Sequence, residues 1–260
     1  IPAWRPSLVL AGRDSMLALN YRRTHPKEQT DAMRFGSALH CAVLEPDAFP
    51  LRYAVWTEGR RAGASYQQFV DANEGRDILK PDEYAACLGA RDAAHAHPVA
   101  GPLLKLARPE TVEVSIVWEN VESGLLCKGR PDMLLADGLN EVKTTTAHIS
   151  DTRALTRIAS TFGYHIALAA YQEGVLSIRG DMPPVRIIFV EQSAPHDVRV
   201  MRVTEDVLMR GWDIWQRLLN RTAECEATGI WPGCDAGESD LRVWEEESEL
   251  VRMTLDGEAI

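Results

Sequence analysis

Two carboxylates and an amine stand close together in one stretch of this chain, Gly129 to Thr146, which reads GRPDMLLADGLNEVKTTT. Between its two apolar runs, Asp137-Gly138 is a strong two-residue hairpin signal. With those residues at the turn, Asp132 lies opposite Lys143 and Leu134 opposite Glu141. Side chains two apart on a strand share a face, so Asp132, Glu141 and Lys143 project to one side and Met133 and Val142 to the other, where a core would take them. Two carboxylates and an ammonium so gathered repel or desolvate one another unless something uses them, and a hard divalent cation is what two carboxylates best hold. Magnesium, with manganese as a substitute, would lower the pKa of a bound water and stabilise charge on a phosphoryl oxygen, while Lys143 orients the water or neutralises the oxyanion. The predicted chemistry is phosphodiester hydrolysis. Asp132 and Glu141 are then metal ligands, the Val142 carbonyl a further one, and Lys143 the catalytic cation. A bare D-x8-E-x-K spacing also fits ordinary surface charges on a hairpin. Pro131 sharpens the functional reading, because proline in a strand marks an edge or bulge, and bulges often re-aim side chains beside active sites.

The elements that must position these groups run helix first, sheet second. Met33 to Leu44 carries Phe35, Leu39, Ala42 and Val43 at helical spacing, and Glu45-Pro46 supplies a stop. Pro81 to His97, rich in alanine and charge, reads as a second helix closed by Pro98. From Val112 to Trp118 the pattern alternates with period two, as a half-buried strand does, with Glu113 on its outward face. Leu125 to Leu135 and Leu139 to Thr144 are further strand candidates. Helix returns at Thr161 to Leu176, a strand pair follows at Val185 to Val190 and Val198 to Val203, and Thr204 to Glu226 reads as a long amphipathic helix. That last helix is expected to turn Val207, Trp212, Trp215, Leu218 and Leu219 inward. Trp212, Trp215 and Trp231 are expected in the core rather than as a base-stacking platform.

Composition sets the outer limits. The chain has 260 residues, 45% hydrophobic and 25% charged, enough for a sizeable core. We expect one domain: an N-terminal extension over 1–30, a core over 31–230, and an acidic, loose tail over 231–260. The nearest thing to a linker is the polar, Gly-bearing stretch Glu58 to Ser65. No apolar stretch approaches the roughly 20 residues that span a bilayer, and no basic leader precedes an apolar run, so a cytoplasmic protein with no membrane partner is expected. Opening on Ile1 rather than methionine suggests a piece of a longer polypeptide. Five scattered cysteines without a C-x-x-C pair signal neither a disulfide framework nor a zinc site. The net charge of −10 weighs against a nucleic-acid partner, so any binding surface must be locally basic.

The PD-M-L-L followed by E-V-K resembles the signature of the PD-(D/E)XK nucleases, and the flanks resemble the exonuclease VIII (RecE) branch. MRFGSALHCAVLEPDAF, TVEVSIVWE, GLLCKGRPD, YHIALAAYQEG and ECEATGIWPGC look like that branch in the same order, from about Met33 to Cys234. The resemblance implies an α/β fold of the restriction-endonuclease-like kind, a central mixed sheet flanked by helices. It makes His40 an additional metal ligand, although a histidine on an amphipathic helix is by itself more often a core residue. Glu113 corresponds to an acidic position near the metal in relatives, or else is simply solvated. Relatives carry Gln-x-x-x-Tyr in a helix that touches DNA; Tyr171 matches, but Ala167 stands at the glutamine position, so that the glutamine's polar interaction is either missing or supplied by His165. Arg60, Arg61, Lys128, Arg130, Arg153 and Arg157 are candidates to line a DNA channel.

By the same resemblance the chain would be an exonuclease on double-stranded DNA ends. It would run 5′ to 3′ in a bacterial or phage-infected cell, supplying single strands to an annealing recombinase, and could form a ring of identical subunits. Two rivals remain: a structure-specific or nicking endonuclease on the same fold, and a DNA-binding recombination scaffold without catalysis.

Overall fold

Most of the apolar patterning resolves into two helical layers closing on one sheet. The computed structural model describes residues 3–26 and 28–234; the acidic tail expected beyond Trp231 lies almost wholly outside them. The chain begins with α1 (Pro6–Val9), a 3-10 turn (Leu10–Arg13) and α2 (Met16–Thr24), then α3 (Asp31–Leu44) and α4 (Phe49–Arg52). The short strands β1 (Tyr53–Val55) and β2 (Asp77–Leu79) pair in parallel around α5 (Ala64–Ala72), and α6 (Pro81–Ala96) and α7 (Ala100–Lys105) follow. The Gly-bearing stretch Glu58 to Ser65 leads from β1 into α5.

The remaining strands build the site. β3 (Ile116–Glu119) and β4 (Leu126–Gly129) form an antiparallel pair. β5 (Met133–Leu135) and β6 (Gly138–Thr145) form the hairpin, and α8 (Thr152–Thr161) and α9 (Tyr164–Arg179) lead over to β7 (Val185–Glu191) and β8 (Val198–Val203), before α10 (Glu205–Thr228). The main sheet runs β5-β6-β7-β8, with β6 and β7 parallel and the outer pairs antiparallel. It is the expected central mixed sheet flanked by helices.

Alternation on these strands divides the core in two. Met133, Leu135, Val142, Ile188 and Val190 face α3, α6 and α7, where Leu39, Ala42, Val43, Cys87 and Ala90 meet them. Leu139, Val185, Ile187 and Phe189 face the other way, toward Ile166 and Leu168 of α9 and Trp215 and Leu219 of α10. Residues before position 31 join this second layer: Val9, Met16 and Leu19 are fully buried in it.

Several expectations need correction. The hairpin turn is Ala136-Asp137 and not Asp137-Gly138, because Leu135 pairs with Gly138 and Met133 with Asn140. A Cβ on Gly138 would stand 2.6 Å from Arg186 Nη1 and 2.9 Å from the Pro184 carbonyl, so this glycine permits close approach to β7 rather than shaping the turn. Extended toward Asp132, the register sets Glu141 rather than Lys143 across from it. That slip is two residues, and a two-residue slip leaves every side chain on its original face. The run Leu125 to Leu135 breaks into β4 and β5 around Arg130, Pro131 and Asp132, as proline in a strand demands. The strand expected from Val112 starts only at Ile116, since Glu113 takes a left-handed φ of 49°. The helix expected over Thr161 to Leu176 is split at Phe162-Gly163, where Gly163 has φ 67°. On α10, Trp215, Leu218 and Leu219 are buried, but Val207 and Trp212 are exposed. Trp231 is half-buried against Trp4, with Arg23 4.8 Å from its ring centre.

Candidate metal centre and active site

The hairpin, α3 and α9 converge on one charged cluster. Asp132 leaves the chain at the break between β4 and β5, and Glu141 and Lys143 stand two apart on β6, facing α9. Asp132 and Glu141 are as buried as core residues, at 7% and 6% exposure. Lys143 Nζ lies 2.7 Å from Glu141 Oε1 and 3.9 Å from Asp132 Oδ2. His40, four residues before the end of α3, brings Nε2 to 2.9 Å from Asp132 Oδ2. The Val142 amide donates to Asp132 Oδ2 at 2.7 Å, and the Asp132 amide donates to Glu141 Oε2 at 3.3 Å. Both polar groups of a strand residue point to the same lateral edge, so the Val142 carbonyl is also directed toward Asp132.

Burial sets the electrostatics. It pushes the Glu141 pKa up, the Asp132 charge adds to that, and Lys143 offsets only part. Burial opposes the charge on Asp132 too, but Lys143 and His40 prevail and hold its pKa below the ordinary value. For His40, burial disfavours the imidazolium, yet the Asp132 carboxylate overrides it and the pKa ends raised. Lys143 is raised as well, burial being outweighed by Glu141 and then Asp132, so it stays a cation.

Glu113 joins the rim of this cluster. Its left-handed backbone, uncommon for a residue other than glycine, turns the carboxylate to within 3.9 Å of His40 Nδ1, with Arg130 3.5 Å away on its other side. Tyr171 packs where a Cβ on Gly129 would lie, 2.6 Å from its Cδ1, and burial raises its hydroxyl pKa, with Glu141 and Lys143 among the charges it senses. Sequence reasoning missed Tyr164 as a site residue. Its ring centre is 5.4 Å from Lys143 Nζ, and the signal was its position seven residues before Tyr171, on the same face of α9.

His165 is the exception on α9. One position round the helix, it has its pKa lowered by burial and by Arg13, with the Ala159 backbone beside it, and none of the site carboxylates among its influences. Of the proposed channel cations, Arg130 alone is tied to the cluster; Lys128 faces outward on β4, Arg153 and Arg157 are exposed on α8, and Arg60 and Arg61 lie in the loop before α5.

Comparison with known proteins identifies the framework. A family model described as a PDDEXK-like domain of unknown function, DUF3799, matches residues 13–242. The chain belongs to this family. Among solved structures, this PDDEXK-like protein is similar to one from Eubacterium rectale that was provisionally named an exonuclease. The two share 13% identity and a TM-score of 0.60, covering 97% of this chain and 94% of the other. That likeness is one of fold. No curated protein matches the sequence. The superfamily expected from the resemblance of PD-M-L-L and E-V-K is thus the one found.

The donor set suits a hard cation: carboxylate oxygens from Asp132 and Glu141, an imidazole on His40, and a backbone carbonyl. These donors currently engage one another, and among the described residues no three His, Cys, Asp or Glu side chains are gathered into a ready metal cage. A second carboxylate whose charge is disfavoured by the first is the observation that fits a divalent ion, since the ion would supply the missing positive charge. Among the described residues no helix is long and apolar enough to cross a membrane.

Proposed function

We propose that this chain is a metal-dependent deoxyribonuclease, with Asp132, Glu141, His40 and the Val142 carbonyl holding magnesium or manganese and Lys143 serving as the catalytic cation. The single observation that supports this most is the burial of Asp132 and Glu141 beside each other, within reach of one lysine. Such a grouping is unfavourable for folding and useful for phosphoryl chemistry. The bound ion would activate a water and stabilise charge on the phosphate. Lys143, held charged by both carboxylates, stabilises the developing oxyanion or orients the attacking water. Glu113, on a strained backbone beside His40, can take a further metal-bound water or the ion itself.

In the finer reading, the enzyme degrades linear duplex from its ends, 5′ to 3′, and leaves single strands for an annealing recombinase. End-labelled linear duplex and covalently closed circles, each with and without magnesium, test this alongside Lys143→Ala. We expect release of mononucleotides or short oligomers from linear DNA only, abolished by chelation and by the substitution. Cutting of closed circles would replace the exonuclease by an endonuclease. Equal digestion by wild type and variant would remove Lys143 from catalysis.

A further inference from the structure

α8 buries Leu155, half-buries Ala154, Ile158 and Ala159 around it, and turns its other residues outward. Thr152, Thr156 and Ser160 recur every four residues, with Arg153, Arg157 and Thr161 one position behind, and these six line a shallow open hollow along the helix. Neither arginine takes part in an ion pair or hydrogen bond among the described residues, and the row contains no carboxylate. In a chain of net charge −10, a stripe of two free guanidiniums and four hydroxyls is a local reversal of sign. Those are the groups that hold a sugar-phosphate backbone without reading its bases.

The helix ends at Phe162, whose side chain is 62% exposed. Its ring stacks on Tyr164, centroids 5.9 Å apart and planes 18° from parallel, and Tyr164 lies over Lys143. The exposed ring is therefore one aromatic contact from the amine of the active site. The backbone that carries it is held at the end of α8: Arg13 Nη1 donates to the Thr161 carbonyl at 3.2 Å, and the Phe162 amide donates to the Ile158 carbonyl at 2.9 Å. An exposed aromatic ring on a held backbone beside a phosphate-binding stripe matches how proteins grip unpaired strands, in which every base presents a face for stacking, whereas a duplex offers one only at its terminal pair.

We propose that α8 and Phe162 form a landing strip for one unpaired DNA strand, Arg153 and Arg157 holding phosphates and Phe162 stacking on a base next to the scissile bond. This rests on the nuclease reading and specifies that the active site receives a single strand rather than an intact duplex.

The test uses phosphorothioate-linked single strands in magnesium buffer, with 2-aminopurine at either end in separate probes. The wild type should quench one of the two probes. Phe162→Ala should abolish that quenching and weaken binding about tenfold, as loss of one base-aromatic stack does. Phe162→Trp should restore both. Arg153→Ala with Arg157→Ala should make the slope of log affinity against log salt shallower by about 1.4, at about 0.7 per single-strand phosphate contact. These residues are exposed, so thermal midpoints should not move. Unchanged quenching in Phe162→Ala, failure of Phe162→Trp to restore it, or an unchanged salt slope, in a protein that still binds and cuts DNA, would overturn the landing strip and leave the nuclease reading standing. A wild type that neither binds nor cuts any DNA would overturn both.

Discussion

Two polar clusters lie on the α9 side of the molecule, and they are built on opposite principles. In one, Asn120 donates to Glu173 at 2.5 Å and to Gln216 at 2.9 Å, Gln216 donates back to Asn120 Oδ1 at 3.1 Å, and the Trp215 indole donates to Glu173 at 2.7 Å. One carboxylate meets neutral donors, and each of these groups has a partner. In the other, Asp132 and Glu141 lie together with Lys143 in reach of both and His40 on Asp132, and three of the four groups are held away from the protonation behaviour that burial alone would impose. Burial of polar groups is common to both. What separates a site from a structural network is uncompensated like charge, which a packed protein retains only where something else uses it.

The largest effect that should separate the clusters is catalytic. Asp132→Asn and Glu141→Gln are each expected to lower kcat by at least about 10²- to 10³-fold. Their effects on metal-free stability should differ in sign. The Asp132 pKa is lowered on folding, so its charge stabilises the fold above its unfolded pKa and Asn should lower the thermal midpoint at pH 7. The Glu141 pKa is raised, so its charge opposes folding near neutrality and Gln should leave the midpoint equal or higher. Midpoints falling equally in both variants would mean that the two carboxylates are not electrostatic opponents.

Next in size is the structural network. Asn120→Ala leaves Glu173 and Gln216 short of partners and should destabilise by about 1–3 kcal/mol in urea unfolding, with activity per folded molecule unchanged. Loss of activity in the folded variant would couple the two clusters.

A pH titration sharpens the contrast further. Glu141 and His40 both hold their protons above the ordinary 4.5 and 6.5, and a metal must displace those protons. Magnesium or manganese affinity, measured by calorimetry, should therefore fall on acidification, by up to about tenfold per pH unit for each proton displaced. Affinity independent of pH between 5 and 8 would exclude His40 as a ligand. Smallest is Arg130→Ala at the exposed rim, where the pair with Glu113 is worth less than about 1 kcal/mol to stability. A larger loss would make Glu113 part of the inner cluster.

Much of the site was legible because strand alternation is local and has a period of two. Misplacing the turn by one position set Asp132 opposite Lys143 instead of Glu141, yet left all three charges on one face. What misled was Gly138, read as a turn residue when its lack of a side chain serves the close approach of Arg186 and Pro184, which are remote in sequence. The break at Gly163 was likewise hidden, because Thr161 to Leu176 carries helical periodicity through it. The resemblance carried by MRFGSALHCAVL made His40 a candidate metal ligand, yet helical spacing alone could not have separated it from a core histidine.

The sequence by itself determined the shared face of Asp132, Glu141 and Lys143 and the strands and principal helices around them, since these depend on residue types at short, regular spacing, and its resemblance to known nucleases supplied the superfamily. Tertiary structure decided the partners: His40 on Asp132, Tyr164 over Lys143, Glu113 turned back by its backbone, and residues before position 31 drawn into the core. Such contacts follow from how whole helices dock on the sheet, and docking sums many weak, non-directional apolar contacts whose geometry no short segment encodes.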